Sequence, residues 1–360
     1  MKLIDKLNAG KLDIVGDVHG ELDALEALLD RLDYTTDGSH PDRRRLVFVG
    51  DLVDRGHDSP AVVETVMKLA RAGHAQCVLG NHELNILRSD TKNENAWFFQ
   101  PDLHTTAGVR PVLQARQTQF RDFFARLPIA LERDDLRVVH ASWNAAAIGK
   151  VREACAAATS TMEMYQHYQD KVAAQLATGQ LKAMFDAEQA RFGSRIAYGR
   201  KQPAEHWPNP RMLQGHAWHD EIEQMGNPIS VLTSGEERRA TEVYPAGGKF
   251  RFVDRVSWWD GYADEQAVVV GHYWRRYQPQ KVAGYRESGW DLFAGIGPGQ
   301  WLGERRKVFC IDFSVAGRAS NRNNQRLTKE CRLAALRWPE ATLMFDDGEE
   351  LPTDYRKSRT

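Results

Sequence analysis

Residues 11–83 contain short apolar runs that each end in Gly and a polar residue: KLDIVGD (11–17), RRLVFVGD (44–51) and QCVLGN (76–81). The segments between them, ELDALEALLDRL (21–32) and SPAVVETVMKLARAG (59–73), repeat apolar residues at the helical spacing of three and four, with Ser59 predicted as the N-cap of the second. This β-α-β-α-β order predicts a parallel sheet with right-handed crossovers. Polar side chains that follow parallel strands meet beyond the carboxyl ends of those strands, so we expect a functional site there.

The remainder of the chain predicts more strands and one region of different character. Strands are expected at LRVVHA (136–141), AVVVGH (267–272) and VFCIDFS (308–314), with an edge strand at TLMFDD (342–347). Residues 151–193 are rich in Ala, Gln and Met, and residues 200–255 are rich in Trp, Pro, Gly and His. We therefore predict a core of residues 1–143 and 261–347, a helical, Trp-rich insertion over 144–260 and a polar tail over 348–360.

Composition excludes several classes of protein. The 360 residues are 42% hydrophobic, which is too apolar for a chain that is mainly disordered. A formal net charge of -1 gives no bulk electrostatic argument for nucleic-acid or membrane binding. The N-terminal residues have no signal-peptide core, no apolar run approaches the roughly 20 residues that span a bilayer, and the Cys residues form no CxxC pair. We expect a cytoplasmic protein, with Arg43, Arg44 and Arg45 on a solvated loop.

Residues of the types that bind metals follow five of the predicted strands. They are, in chain order, Asp17, His19, Asp51, Asn81, His140 and His272. Carboxylate, amide and imidazole ligands together suit Mn, Fe, Zn or Ni better than Ca or Mg. Because Asp51 follows the middle motif strand, we expect it to bridge two ions, with the first three residues holding one ion and Asp51 with the last three holding the other. Two ions about 3.5–4 Å apart form a clamp for in-line phosphoryl chemistry.

The motifs GDVHG (16–20), GDLVDRG (50–56) and GNHE (80–83), in this order, resemble the calcineurin-like metallophosphoesterase superfamily. The DRG triplet at 54–56 is similar to the phosphoprotein phosphatase (PPP) branch, which includes bacterial lambda-phosphatase-like and diadenosine-tetraphosphatase-like enzymes. The resemblance implies an α/β fold in which two facing mixed β-sheets are flanked by helices, as a four-layer α/β/β/α sandwich. It also implies two divalent metal ions, for which we expect manganese first and Fe, Zn or Ni as alternatives.

The resemblance also implies a mechanism in which a metal-bridging hydroxide attacks phosphorus directly. His82 would protonate the leaving oxygen as general acid, Asp54 would orient His82, and Arg55 would bind the phosphate oxygens. These residue types suit these roles, because His has an ordinary pKa near 6.5 and a guanidinium offers two parallel donors to phosphate. Relatives use a second phosphate-binding Arg, for which Arg195, Arg200 and Arg255 are candidates. We interpret Glu83 as a structural carboxylate.

Some positions depart from the usual motifs of the resembled family. His140-Ala141-Ser142 stands where His-Ala-Gly is usual, and Gly271-His272-Tyr273-Trp274 stands where Gly-His-Thr is usual, which places aromatic rings beside the metal ligands. Together with Trp258 and Trp259, these rings form either packed core, which we favour, or a platform for stacking a base. A separate zinc site at His216 and His219 is not favoured, since no flanking residue has ligand spacing.

The sequence therefore predicts a bimetal-dependent hydrolase that acts on a phosphorylated substrate. Our main hypothesis is a phosphomonoesterase that acts on small esters or as a protein serine/threonine (or tyrosine) phosphatase. The alternative is a nucleotide hydrolase, either a dinucleoside polyphosphatase or a phosphodiesterase, for which the aromatic residues would suit a base. A regulatory binding protein with a vestigial site is the non-enzyme alternative, and the complete set of site residues argues against it.

Overall fold

The protein is described from a computed structural model. The structure describes residues 2–100, 109–156, 159–198, 213–246, 249–278, 285–286, 289–320 and 329–355.

The strands are, in chain order, β1 (Ile4–Lys6), β2 (Leu12–Val15), β3 (Arg45–Phe48), β4 (Ala75–Cys77), β5 (Ala130–Glu132), β6 (Leu136–Val139), β7 (Glu237–Ala246), β8 (Lys249–Arg255), β9 (Ala267–Val270), β10 (Tyr285–Arg286), β11 (Gly289–Trp290), β12 (Val308–Cys310), β13 (Ala334–Trp338), β14 (Thr342–Phe345) and β15 (Glu350–Pro352). The α-helices are α1 (Leu22–Arg31), α2 (Ser59–Arg71), α3 (Asn81–Leu87), α4 (Ala96–Phe99), α5 (Gln114–Phe124), α6 (Ala145–Ala156), α7 (Thr161–Leu176), α8 (Gly179–Tyr198), α9 (Gln214–Met225) and α10 (Pro228–Ser234). Short 3-10 helices cover Asn93–Asn95, Trp258–Gly261 and Val315–Ser320.

The motif strands lie side by side in a 6-stranded sheet with the order β15-β14-β13-β2-β3-β4. Strands β2, β3 and β4 are parallel, as the sequence predicted, and β3 is the middle one in space as well as in sequence. The prediction of an edge strand at 342–347 is wrong, because β15 pairs with β14 on its outer side. Because β2, β3 and β4 are parallel, the loops that follow them leave the sheet at the same end.

A second, 5-stranded sheet has the order β1-β5-β6-β9-β12. Strands β6, β9 and β12 are parallel, whereas β5 is antiparallel to β6, so this sheet is also mixed. Strands β1 and β5 were not predicted, because each has only 3 residues and β1 is largely exposed. The ends of β6 and β9 carry His140 and His272 toward the loops of the first sheet.

The two sheets face each other across an apolar core. Ile14 and Val47 from the first sheet join Val138 and Val269 from the second in one buried cluster. Alternate residues of the same strands, such as Val15, belong to a second cluster that includes the buried side chains of α1 and α2. This alternation follows from the strand period of two, and both faces of each sheet are buried. Two mixed sheets flanked by helices are confirmed.

The N-cap of helix α2 lies one residue earlier in the chain than the sequence predicted. Asp58, and not Ser59, is the N-cap, since its carboxylate accepts a hydrogen bond from the backbone N–H of Ala61 at 2.9 Å. Ser59 is instead the first helical residue, and its Oγ accepts a hydrogen bond from the backbone N–H of Asp54 at 2.9 Å. The helix start therefore helps to hold the loop that carries the DRG triplet.

The expectation of a solvated loop is wrong for Arg44. Its side chain is only 3% exposed and forms an ion pair with the buried carboxylate of Asp13 at 2.8 Å. The hydroxyl of Tyr34 donates to the same carboxylate at 2.9 Å, and Glu340 pairs with the other end of Arg44 at 2.9 Å. Arg44 therefore links β3 to the neighbouring strands, while Arg45 is exposed.

The segment 144–260 does not pack as one block in the described residues. Side chains of α6, α7 and α10, such as Val151, Met164 and Leu232, join the large cluster of the main core. Helices α8 and α9 pack with the antiparallel hairpin of β7 and β8, around Phe192, Leu213 and other apolar side chains of a separate cluster. Within the described residues, every helix is too short or too polar to serve as a membrane span.

Candidate active site

The carboxylate of Asp51 lies at the centre of the candidate site. Its Oδ2 is 3.3 Å from His140 Nε2, 3.6 Å from His19 Nε2 and 3.8 Å from His82 Nε2. Asp51 is 2% exposed. Burial acts to raise its pKa, but the charges of His140 and His82 outweigh burial and hold the pKa well below its usual range. Asp51 is therefore an anionic centre shared by several imidazoles.

The structure brings all of the predicted metal ligands together. We call this set the Asp-His cluster: Asp17, His19, Asp51, Asn81, His140 and His272. On one side of Asp51, Asp17 Oδ2 lies 4.0 Å from His19 Nε2. On the other side, Asn81 Oδ1 lies 3.1 Å from His140 Nε2 and 2.9 Å from His272 Nδ1. The ligand atoms of Asp51, His140 and His272 lie within 4.8 Å of one another.

The Asp-His cluster fits divalent cations. Asp17 Oδ1 is buried and has no hydrogen-bond partner, so one carboxylate oxygen is left for another ligand. The Nδ1 atoms of His19 and His140 face the backbone carbonyls of Val53 at 2.9 Å and Val49 at 2.6 Å, which orients their Nε2 atoms toward Asp51. Burial acts to lower the pKa of His140, but the charge of Asp51 outweighs burial and raises the pKa to about 10. The ligand role of these residues remains a prediction.

The backbone at the cluster has unusual φ angles, and one close contact between the backbone and a side chain requires glycine. A Cβ on Gly271 would lie 1.9 Å from Asp17 Oδ1, so no other residue fits there without displacing the carboxylate. His19, Asp51 and His272 have φ angles of 47, 49 and 69, in the left-handed region. Such conformations cost of order 1–3 kcal/mol each and are concentrated at functional sites. The three left-handed conformations therefore destabilise the local backbone, and the rest of the fold must offset this cost.

Glu83 holds two site loops together and is not placed as a ligand. Its carboxylate accepts hydrogen bonds from the backbone N–H groups of Asp51 at 2.9 Å, Leu52 at 2.8 Å and Gly80 at 3.1 Å. Burial and the charge of Asp51 raise its pKa to about 7. These contacts support the interpretation of Glu83 as a structural carboxylate that joins the loops after β3 and β4.

His82 and Asp54 form a buried pair beside the cluster. His82 Nδ1 donates to Asp54 Oδ2 at 2.6 Å, and Trp97 Nε1 donates to Asp54 Oδ1 at 2.6 Å. Burial acts to lower the pKa of His82, but Asp51 and the hydrogen bond to Asp54 outweigh it and raise the pKa. His82 Nε2 is directed toward Asp51, which is the position that a proton donor to a substrate in the cluster requires.

Arg55 reaches across the opening of the site. Its Nη2 donates to His82 Nε2 at 3.2 Å and its Nη1 donates to His19 Nε2 at 3.1 Å. Its Nε donates to Glu94 at 3.4 Å, and its guanidinium lies 4.4 Å from the centre of the Trp274 ring. Binding of a cation at His19 Nε2 requires the bond from Arg55 to be given up, which would release the guanidinium toward an anionic ligand.

Of the candidates for the second phosphate-binding Arg, Arg255 is near the cluster. Burial and the positive charge of Arg255 hold the pKa of His272 well below its usual range, and the guanidinium lies 5.7 Å from the ring of Tyr273. Arg200 and the side chain of Arg195 lie outside the described residues.

His216, considered from the sequence for a separate zinc site, forms a buried contact with Glu188 at 2.8 Å in the insertion.

Some residues that contact the predicted site residues lie outside the motifs and were not predicted from the sequence. Trp97 contacts Asp54, Glu94 contacts Arg55, and Asp312 Oδ2 accepts from the backbone N–H of Trp274 at 2.8 Å. Trp97 and Glu94 follow GNHE by a short distance in the chain but fall in no recognisable motif, and Asp312 comes from a strand end near the C-terminus. Only the folded chain identifies them.

The aromatic residues that the sequence grouped together have different environments. Trp258, Trp259 and Tyr273 are 7%, 2% and 4% exposed, so the prediction of core packing is confirmed for them. Trp274 is 39% exposed and lies on Arg55.

Comparison with known proteins agrees with this geometry. Residues 10–167 match the family model described as calcineurin-like phosphoesterase. This match assigns residues 10–167 to a calcineurin-like metallophosphoesterase domain. The matched residues include the motif strands and His140, whereas Arg255 and His272 lie beyond them.

The curated relatives in the comparison are bacterial enzymes. The asymmetrical bis(5'-nucleosyl)-tetraphosphatase PrpE of Oceanobacillus iheyensis is 34% identical over 157 residues, which are 39% of this chain and 59% of the relative. The PrpE of Bacillus velezensis is 36% identical over 147 residues, covering 38% of this chain and 59% of the relative. The chain thus spans less than two thirds of these relatives. A solved cold-active protein-tyrosine phosphatase of Shewanella aligns over 97% of this chain and 82% of that chain with 15% identity and a TM-score of 0.43.

Proposed function

We propose that this chain is a metal-dependent hydrolase that cleaves phosphoanhydride bonds of dinucleoside polyphosphates. The observation that carries the hydrolase assignment is the His82–Asp54 pair, 2.6 Å apart, directed at the cluster around Asp51. The substrate class is supported by the curated relatives, which are named as bis(5'-nucleosyl)-tetraphosphatases. They favour the nucleotide alternative over the phosphomonoesterase and protein phosphatase hypothesis. No contact in the described residues favours a regulatory protein with a vestigial site.

The cluster would hold two divalent ions, with Asp51 between them. Asp17, His19 and Asp51 would bind one ion, and Asp51, Asn81, His140 and His272 would bind the other. When bound, such ions neutralise phosphate charge and lower the pKa of a nucleophilic water. The donor set is that of Mn, Fe, Zn or Ni, and we retain manganese as the first metal to test.

Arg55 and Arg255 would bind the phosphate chain from two sides. Arg55 lies at the opening beside His19 and His82, and Arg255 lies on the side of His272. A guanidinium has planar donors that match phosphate oxygens, and a polyphosphate offers several anionic groups to two such forks. Binding would draw Arg55 away from His82 Nε2.

His82 would then supply the proton to the leaving phosphate oxygen. Asp54 accepts from Nδ1, so the ring is held with Nε2 toward the cluster. Trp97 fixes the other oxygen of Asp54, so the carboxylate cannot turn away from His82. Positioned acids of this kind contribute about 10²–10⁴-fold to a rate.

The test is a comparison of substrates with added manganese. Purified protein is assayed with diadenosine tetraphosphate, a phosphoserine peptide and p-nitrophenyl phosphate, and the nucleotide products are separated by chromatography. We expect the highest kcat/KM on diadenosine tetraphosphate, and the appearance of AMP with ATP or of ADP alone reports which bond is cleaved. A higher kcat/KM on the phosphopeptide would overturn the substrate assignment, and the absence of turnover with every substrate and metal would overturn the hydrolase assignment.

A further inference from the structure

Trp274 is exposed at the opening of the site, although most large apolar side chains are buried. Among the described residues, only Leu113 and Trp274 are large hydrophobic side chains with high exposure, at 70% and 39%. The neighbouring rings of Trp259 and Tyr273 are buried, so core packing does not account for the position of Trp274. An exposed indole of this kind is suited to a ligand that brings its own apolar surface.

One contact places Trp274 beside the phosphate-binding region. The guanidinium of Arg55 lies 4.4 Å from the centre of the indole ring, within the range of a cation–π contact. Stacking uses the face of the guanidinium, while its N–H donors lie in the plane. Trp274 and a phosphate can therefore contact Arg55 at the same time, so a group attached to that phosphate would come close to the indole.

The backbone holds Trp274 at this place. Its φ angle is 56, in the left-handed region, and its backbone N–H donates to Asp312 Oδ2 at 2.8 Å. Asp312 is 2% exposed, and its Oδ1 accepts from the backbone N–H of Ser314 at 2.8 Å. A buried carboxylate with two backbone donors thus stabilises a conformation that a large side chain would otherwise avoid.

We propose that Trp274 is a specificity-determining residue that stacks on the base of the nucleotide whose phosphate Arg55 binds. This inference rests on the proposed function, because it requires a nucleotide as the substrate. Base–aromatic stacking tolerates any base, so the residue selects for a nucleoside next to the phosphate chain and against chains that lack one. The indole thus discriminates nucleotides from base-free phosphate compounds of the same charge.

The test compares two ligands that differ in the nucleoside. Adenosine 5'-(α,β-methylene)diphosphate and methylenediphosphonate resist hydrolysis, and their dissociation constants are measured by calorimetry with manganese for the wild type and Trp274→Ala. We expect Trp274→Ala to weaken the adenosine ligand by about 5- to 150-fold, the range for loss of one stacked base, and methylenediphosphonate by less than about twofold. Trp274→Phe keeps a ring and should restore most of the affinity for the adenosine ligand.

Other results would overturn the proposal. An equal loss for both ligands would mean that Trp274 acts only by positioning Arg55, and no loss for either would mean that the indole does not contact the ligand. Trp218→Ala is the matched control, because Trp218 stacks on Arg239 at 3.8 Å in the insertion and should leave both affinities unchanged. If Trp274→Ala unfolds, as seen by circular dichroism, the comparison uses Trp274→Phe instead. This variant must keep the preference of the wild type for the adenosine ligand over methylenediphosphonate.

Failure of this inference differs from failure of the proposed function. If the wild type prefers a phosphopeptide to diadenosine tetraphosphate in turnover, the proposed function fails whatever the binding data show. If diadenosine tetraphosphate is the best substrate and Trp274→Ala leaves affinity for the adenosine ligand unchanged, only the stacking role fails.

Discussion

His82 Nδ1 lies 2.6 Å from Asp54 Oδ2, and this pair joins the start of α3 to the loop after β3. The bond fixes the imidazole and directs Nε2 toward Asp51, 3.8 Å away. Since Asp54 is 0% exposed, bulk solvent does not reach its carboxylate. The arrangement makes the proton-donor role of His82 testable independently of metal binding.

His82→Asn should retain metal and lose turnover in a way that depends on the leaving group. We expect a loss of about 10²–10⁴-fold in kcat on phenyl phosphate, because phenolate, with a pKa of about 10, needs a proton in order to leave. On p-nitrophenyl phosphate the loss should be much smaller, since p-nitrophenolate leaves without protonation. Steady-state kinetics on both substrates, with metal content by elemental analysis, check this. Equal losses on the two substrates would contradict the general-acid role.

Asp51→Asn should lose metal rather than a proton-transfer step. The substitution removes the shared anionic charge between His19 and His140, and an amide is a much weaker ligand for a divalent cation. We expect metal content after dialysis to fall well below that of the wild type, and turnover to fall on every substrate. His82→Asn serves as the control, because it should keep metal under the same dialysis. Full metal occupancy in Asp51→Asn would exclude the bridging role.

Trp97→Phe tests whether the second hydrogen bond to Asp54 matters for turnover. The change removes the indole N–H that donates to Asp54 Oδ1 at 2.6 Å but keeps a ring in the core. A hydrogen bond to a charged group contributes about 1.5–3 kcal/mol, so we expect kcat on phenyl phosphate, which depends on the proton donor, to fall by about tenfold or more with KM little changed. Metal content should be unchanged. A change in KM alone would show that Trp97 acts on substrate binding and not through Asp54.

Arg44→Met should destabilise the fold, whereas Arg45→Ala should not. Arg44 is the nearer cationic partner of Asp13, whose side chain is 0% exposed, so the variant leaves the buried carboxylate with only the longer ion pair to Arg337 at 3.6 Å. Breaking a buried ion pair from one side costs about 3–5 kcal/mol, while a surface substitution usually stays within about 0.5 kcal/mol. Denaturant unfolding measures both variants against the wild type. Similar stability of the two variants would mean that the ion pair has no stabilising role.

The parallel strand order and most of the site were predictable from sequence because both depend on local patterns. The runs that end at Asp17, Asp51 and Asn81 have the length and apolar character of buried strands, and parallel strands place the residues that follow them at one edge. The edge position predicted for 342–347 was wrong because the pairing partner, β15, has only 3 residues and no local strand signal. Arg44 was misjudged for a related reason, since its carboxylate partner Asp13 lies in another strand.

Local sequence patterns specify the motif strands, their polar ends and the residues that we predict to bind metal. These depend on side-chain chemistry and on spacing within short segments. The tertiary structure decided which distant residues complete the site, because contacts between strand ends far apart in the chain leave no local pattern. It placed Arg255 near His272, and it placed Trp97 on Asp54. It also placed Trp274 on the guanidinium of Arg55, whereas the neighbouring aromatic rings are buried.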